Sequence, residues 1–329
     1  MHNLLDPAIL FFVFGIVAGA IRSNLEIPAP ISRFLSLYLL MALRLKGGFA
    51  LSHSGLTAQV ATALGCALLL AFAVPALGYV LLRRVLSGFD AAAVAATYGS
   101  VSAVTFITAT QYLGARDIAY GGHMAAAMAL MESPAIILGV VLASALRQRA
   151  LPAPDAGGAV AVAAKGNPAL RHVLHEALTD GAQLLLLGAM VVGIVSGAAG
   201  EAGMKPFTGD LFKGMLAFFL LDMGLLVARN LGKLRGKPLA LLAYAMLAPP
   251  LHAALALGLA TLTGLPPGDG ALLMVLAASA SYIAVPAVLR HAVPEADPSV
   301  YFGMSLGVTF PINILVGIPL YVELARRVL

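Results

Sequence analysis

Apolar stretches recur from one end of the chain to the other, separated by short gaps that collect Arg, Lys, Pro and Gly. Ten stretches are legible, over residues 7–21, 33–52, 57–82, 90–113, 118–146, 176–199, 208–228, 239–263, 269–290 and 299–325. Most reach the about 20 residues that an α-helix needs to cross a hydrocarbon layer of roughly 30 Å. They lack the polar face of a helix on the surface of a soluble domain. The first is short, as for a helix that is partly interfacial. The pattern predicts an all-α polytopic membrane protein with ten transmembrane helices.

The pattern also repeats. Residues 147–175 form the longest polar gap and contain Pro152, Pro154, Gly157, Gly158 and Pro168, the composition of a flexible linker. On either side lie two units, 1–146 and 176–329, of five stretches each. Stretch four carries Ser100-Val101-Ser102 and stretch nine carries Ser279-Ala280-Ser281, 179 positions later; Pro134 of stretch five is matched by Pro311 of stretch ten, 177 positions later. A unit with an odd number of spans begins on one face and ends on the other, so the second copy is inserted upside down. The expectation is a 5+5 inverted repeat, a plan that puts a transporter's substrate where the two copies meet.

Composition narrows the class. The chain is 60% hydrophobic and 11% charged, with a mean hydropathy of +0.95, which excludes an ordinary soluble domain. The net charge of +5 comes from residues in the gaps, so it reads as an orientation signal rather than a nucleic-acid footprint. One set of gaps holds Arg22 and Arg33, Arg83 and Arg84, Arg147, Arg149, Lys165 and Arg171, Arg229, Lys233, Arg235 and Lys237, and Arg290, thirteen cations in all. The other side holds the remaining seven, Arg44 and Lys46 among them, both expected to snorkel to the interface. The bias places the linker in the cytoplasm and both termini outside it, in a cell (inner) membrane. Residues 1–6 carry no Lys or Arg, so the first stretch reads as a membrane helix rather than a secretory signal. The single Cys66 has no partner for a disulfide or a thiolate metal site. Trp is absent, and Tyr38, Tyr79, Tyr112 and Tyr244 are left to mark the interfaces.

The chemistry concentrates in stretches four and nine. Both place Ser-x-Ser at mid-membrane, with Gly99 loosening one helix and Pro286 removing a donor from the other. Interrupted helices are tolerated at that depth only where a neighbour or a cavity satisfies the backbone. Two breaks facing each other would offer an anion N–H groups and hydroxyls, and a cation carbonyl oxygens; small-residue helix packing would leave a similar sequence. Glu132, mid-span before Pro134, is the foremost acidic candidate, for sodium or for a proton. Asp222, placed towards a helix end, and Asn313 and Thr309 beside Pro311 are weaker ones. His123 and His252 read as isolated helix contacts. No His–Cys cluster suggests zinc, no catalytic triad can be placed from spacing, and enzyme activity has no positive support.

Tyr98-Gly99-Ser100-Val101-Ser102-Ala103-Val104-Thr105-Phe106 resembles the sodium-dependent bicarbonate transporters of bacteria and cyanobacteria. The likeness continues at Met131-Glu132-Ser133-Pro134-Ala135, at Ala278-Ser279-Ala280-Ser281 and at Pro298-Ser299-Val300-Tyr301-Phe302-Gly303. The resemblance implies sodium-coupled bicarbonate symport by a core domain moving against a gate domain, a homotrimer, and a PII-like regulatory protein docking from the cytoplasm. Carried over, Gly99, Ser100, Val101, Ser102, Ser279, Ala280, Ser281 and Tyr282 would surround bicarbonate. The sodium candidates are Thr97, Thr105, Glu132, Thr309 and Asn313. Cyanobacterial members tend to carry an acid where this chain has Tyr282, which bears on sodium stoichiometry and coupling. A site without a mid-span Arg would suit a compact monovalent anion better than a dicarboxylate. Competing expectations are an inverted-repeat carrier for organic anions, a cation–proton antiporter, and a membrane anion sensor or scaffold that transports nothing.

Overall fold

The structure is a computed structural model that describes residues 6–55, 57–150, 181–231 and 238–329. Every regular element among them is helical. The helices are α1 (Pro7–Ala20), α2 (Ala29–Ser54), α3 (Ala58–Leu82), α4 (Gly88–Gly99), α5 (Ala103–Gly114), α6 (His123–Ala150), α7 (Gly181–Lys205), α8 (Leu211–Leu231), α9 (Leu239–Thr263), α10 (Pro267–Ala278), α11 (Ala284–Ala292) and α12 (Pro298–Val328). Counting each of Gly88–Gly114 and Gly188–Arg229 as one stretch, seven are long and apolar enough to cross a membrane; α1 and α10 are shorter apolar helices. Within the expected linker over 147–175, α6 runs on to Ala150, and residues 151–175 lie outside the described residues.

Local chemistry sets the ends. Asp6 caps α1 by accepting from the Ala8 N–H at 2.8 Å, Ser87 caps α4 and Asp297 caps α12. Pro occupies one of the first two positions of α1, α2, α10 and α12, where its missing N–H has no intrahelical partner to lose. α7 is kinked at Gly197, whose φ of 50° and ψ of −141° suit a residue without a Cβ. A π turn, Pro206–Asp210, leads into α8. Two more, Ser305–Thr309 and Asn313–Gly317, lie inside α12.

Packing is reciprocal. α1 lies against α8 with Gly15 facing Gly224, and α2 lies against α7 with Gly48 facing Gly193. A Cβ at Gly15 would meet the Leu221 carbonyl oxygen at 2.3 Å, and one at Gly48 the Met190 carbonyl oxygen at 2.3 Å. Lipid tails are as apolar as the side chains, so helix association here rests on backbone approach through small residues. A buried polar contact adds to it, the Ser32 hydroxyl donating to Asp222. Asp222 sits well inside α8 and is 6% exposed, not towards a helix end as its place in the chain suggests. α3 to α6 and α9 to α12 build a second group around α4 and α10, which are buried from Ala91 to Gly99 and from Gly268 to Ala278. Large apolar side chains such as Phe14, Phe34, Phe72, Val195, Phe218 and Leu247 point outwards, the inverse of a soluble surface.

Arg44 departs from expectation. It does not snorkel: it is 0% exposed and its Nη1 donates to the Ala125 carbonyl of α6. Two residues along, Lys46 is turned away by more than half a helical turn and lies 5.2 Å over the Phe212 ring. An apolar neighbourhood permits either outcome for a long cation; contact with α6 decides it.

At one end of the bundle Arg147 grips Glu295 through Nε and Nη2, both at 2.7 Å, and donates to the Ala292 carbonyl at 2.9 Å. That guanidinium holds the Glu295 carboxyl below its ordinary value of 4.5. The clamp therefore contributes above about that pH and is lost as pH falls through the lower folded value. Both side chains are more than one-third exposed, so its worth is at most ~1 kcal/mol. Glu295→Gln should lower the melting temperature in detergent slightly at pH 7 and not at pH 3. Gly48→Val should cost about 1–3 kcal/mol by the same measurement, whereas Gly203→Ala, with nothing within 4 Å of its Cβ position, should not.

Candidate functional site

The two Ser-x-Ser segments are breaks, and they cross. α4 ends at Gly99 and α5 starts at Ala103; α10 ends at Ala278 and α11 starts at Ala284. Gly99 keeps a negative φ, so it does not act by conformational freedom. Its missing Cβ leaves room for Pro75 of α3, whose ring would lie 2.5 Å from one. Pro286 falls in the first turn of α11, where no intrahelical N–H bond is due. Serine hydroxyls close the start of each second half-helix, as the N-cap of α5 and from two residues before the Ile283 N-cap of α11. Ser102 caps α5 by accepting from the Thr105 N–H at 3.2 Å and the Thr105 hydroxyl at 2.9 Å. Ser281 accepts from the Val285 N–H at 3.3 Å.

Each break then completes the other. The Ser281 N–H donates to the Thr97 carbonyl at 2.8 Å, and the Ser102 N–H donates to the Ser279 hydroxyl oxygen at 3.0 Å. Ser279 passes its own proton to the Leu276 carbonyl at 2.8 Å. Ser100, Ser102, Ser279 and Ser281 are all buried at 5% exposure or less. The N-termini of α5 and α11, each carrying partial positive charge, thus open onto the same interior region as the carbonyl ends of α4 and α10. Anion donors and cation acceptors coexist there.

α12 braces the crossing from behind. Asn313 donates to the Ala278 carbonyl at 2.8 Å and accepts from Tyr321 at 3.3 Å. Thr309 gives its proton to the Ala245 carbonyl at 2.8 Å, so Tyr98 is the donor in their 2.6 Å contact. Thr97 back-bonds to the Ala93 carbonyl at 2.8 Å. Tyr282 packs on Phe310 with ring centroids 5.0 Å apart, and Phe310 on Phe12 at 5.3 Å. Among the described residues, the Ser100 hydroxyl and the Tyr282 hydroxyl are buried without a hydrogen-bond partner of good geometry, although Tyr282 points towards Ser102. Buried hydroxyls of this kind are the groups a ligand would satisfy. Glu132 belongs to α6 rather than to the crossing half-helices, and Arg44 is a charged neighbour.

A cavity of about 1150 Å³ opens at the end of the bundle where α2 meets α3 and α7 turns into α8; its lining includes Lys46, His53, Tyr120, His123, Glu201 and Lys205. Phe106 lines it as well, one turn beyond Ser102 along α5, whereas none of the crossing serines does. Beside it, His123 is not isolated: its Nε2 lies 3.3 Å from a carboxylate oxygen of Asp269, both groups being buried. Asp269 also accepts from the Gly121 N–H at 2.6 Å and from Gln59 at 3.4 Å. His252 is hydrogen-bonded to the backbone of Ala277. Sequence reasoning missed Arg44 and Asp269. Arg44 carried a signal, a charge inside an apolar run; Asp269 carried little beyond its place in the first turn of α10. Arg44 lies on α2, outside the serine crossing, whose own segments carry no Arg.

Replacing Ser279 by Ala leaves the buried Ser102 N–H without its acceptor. The expected cost is about 1–3 kcal/mol, read as a loss of thermal stability of the purified protein. Ser100→Ala, which removes a hydroxyl with no partner among the described residues, should leave stability nearly unchanged.

A search of curated proteins found no match to this chain. A family profile does match, over residues 7–326, and so takes in both breaks, the bracing helix and the cavity. Crossed half-helices of this kind, enclosed by apolar helices, are what a transporter needs to hold an ion inside a membrane, and the chain belongs to the Na+-dependent bicarbonate transporter superfamily.

Proposed function

We propose that this protein takes up bicarbonate by sodium-coupled symport, working by alternating access. The observation that carries the reading is the mutual capping of the two breaks, through Ser281 and Thr97 and through Ser102 and Ser279. Bicarbonate would meet the N–H groups and hydroxyls around Gly99, Ser100, Val101, Ser102, Ser279, Ala280, Ser281 and Tyr282. Sodium would use carbonyl and hydroxyl oxygens at the half-helix ends, with Thr97, Thr105, Thr309 and Asn313 nearest in the chain and Glu132 contributing charge. Among the described residues no cluster of three His, Cys, Asp or Glu offers a stronger cation site.

The same reading makes the chain a ten-span, 5+5 inverted repeat. The reciprocal contacts support it: the first helix of the first unit packs on the second of the other, and the second on the first. α1, α2, α7 and α8 would form the gate domain, and the remaining helices the core domain that carries the crossing. Lys and Arg counts orient both termini outside the cytoplasm, which makes the 1150 Å³ cavity an outward-facing vestibule. Its Lys46 and Lys205 would concentrate anions at the entrance. A homotrimer and a cytoplasmic PII-like partner complete the reading.

The buried His123–Asp269 pair favours one alternative, coupling to protons instead of sodium. Reconstituted protein should accumulate labelled bicarbonate under an inward sodium gradient, and Ser102→Ala should slow uptake about ten-fold or more by removing a donor and a cap. Uptake that follows a proton gradient and ignores sodium would transfer the coupling to the alternative. Absence of uptake under either gradient would end the transport assignment for bicarbonate.

A further inference from the structure

We propose that Arg44 is an oxyanion subsite, whose Nε–Nη2 edge binds a planar anion through two of its oxygens between α2 and α6. This deepens the transport reading by naming the class of anion and a place for it outside the serine crossing. The guanidinium is 0% exposed. Its Nη1 donates to the Ala125 carbonyl, while Nε and Nη2 find no acceptor among the described residues. Those two nitrogens form one edge of the plane, with parallel N–H bonds spaced to meet a carboxylate or bicarbonate. The chain uses that edge in this way elsewhere, where Arg147 holds both oxygens of Glu295 at 2.7 Å.

Burying a cation with two unused donors is costly unless an anion completes it. Glu132 supplies charge from α6 but does not hydrogen-bond this edge. It lowers the cost of the cation and competes for it at the same time. Access is short. Leu43, Lys46 and Gly47 on α2 and Ala125 on α6 all line the cavity, so the guanidinium lies behind its wall. Gly47 permits this approach, because a Cβ there would meet that of Ala125 at 2.8 Å. An anion gathered by Lys46 and Lys205 reaches Arg44 by moving side chains rather than helices.

The test is calorimetric titration of the purified full-length protein in sodium-free potassium buffer, with potassium bicarbonate, formate and chloride. The wild type should bind bicarbonate and formate and prefer both to chloride. Arg44→Lys keeps the charge but loses the fork, so it should weaken both planar anions roughly ten-fold, the worth of about one hydrogen bond, and leave chloride unchanged. Glu132→Gln removes the competing carboxylate and should tighten planar anions several-fold. Arg44→Lys binding with wild-type affinity, no preference of the wild type for formate over chloride, or Glu132→Gln leaving affinity unchanged or weaker would each overturn the proposal; the last stands even where Arg44→Lys does not fold. Planar-anion binding weakened in Arg44→Lys together with no sodium-driven uptake by the wild type would sink the transport reading and keep the subsite. Intact uptake with unaltered binding by Arg44→Lys would do the reverse.

Discussion

Inside a bilayer no water is at hand to satisfy a peptide group, so every interruption of a helix must be completed by another part of the chain. Two interruptions completing each other is the constraint on which the rest of this structure turns. The Ser281 N–H reaches the Thr97 carbonyl, and the Ser102 N–H reaches the Ser279 hydroxyl. Neither break could stand alone at that depth. Their mutual dependence explains why the ends of α4 and α10 that lead into the breaks are buried and why α12 crosses behind them, its π turns bringing Thr309 and Asn313 to their contacts. The completion is also unequal. Ser279 is fully engaged, whereas its counterpart Ser100 keeps a buried hydroxyl with no partner among the described residues. The two breaks are thus completed differently at their serines.

A second constraint follows from the solvent. Lipid offers helices no hydrophobic reason to associate, so the contacts between α1 and α8 and between α2 and α7 depend on the absence of Cβ atoms at Gly15, Gly224, Gly48 and Gly193. Such contacts lock these four helices to one another. The contact between α2 and α6 is also close at Gly47, where a Cβ would meet that of Ala125 at 2.8 Å, and it carries in addition a buried guanidinium and the charge of Glu132.

Much of this was legible from the chain alone. Span positions follow from apolar length, and the observed helices lie within a few residues of the stretches read from the sequence, α9 over 239–263 among them. The pairing of Ser100-Val101-Ser102 with Ser279-Ala280-Ser281 marked both breaks, because a serine at a helix start has one strong local use, the cap, whatever surrounds it. Family membership was carried by the same short motifs.

What the sequence could not decide were facts about which side chains meet. Gly99 was read as a conformational relief and proves to be a gap for Pro75. His123 was read as isolated and lies beside Asp269, nearly half the chain away. Arg44 was expected at the interface and is enclosed against α6. Local composition determines which segments enter the membrane, since transfer into lipid is a sum over residues. The fate of a single charge depends on which neighbour stands opposite it, and that partner is chosen by the packing of helices distant in sequence.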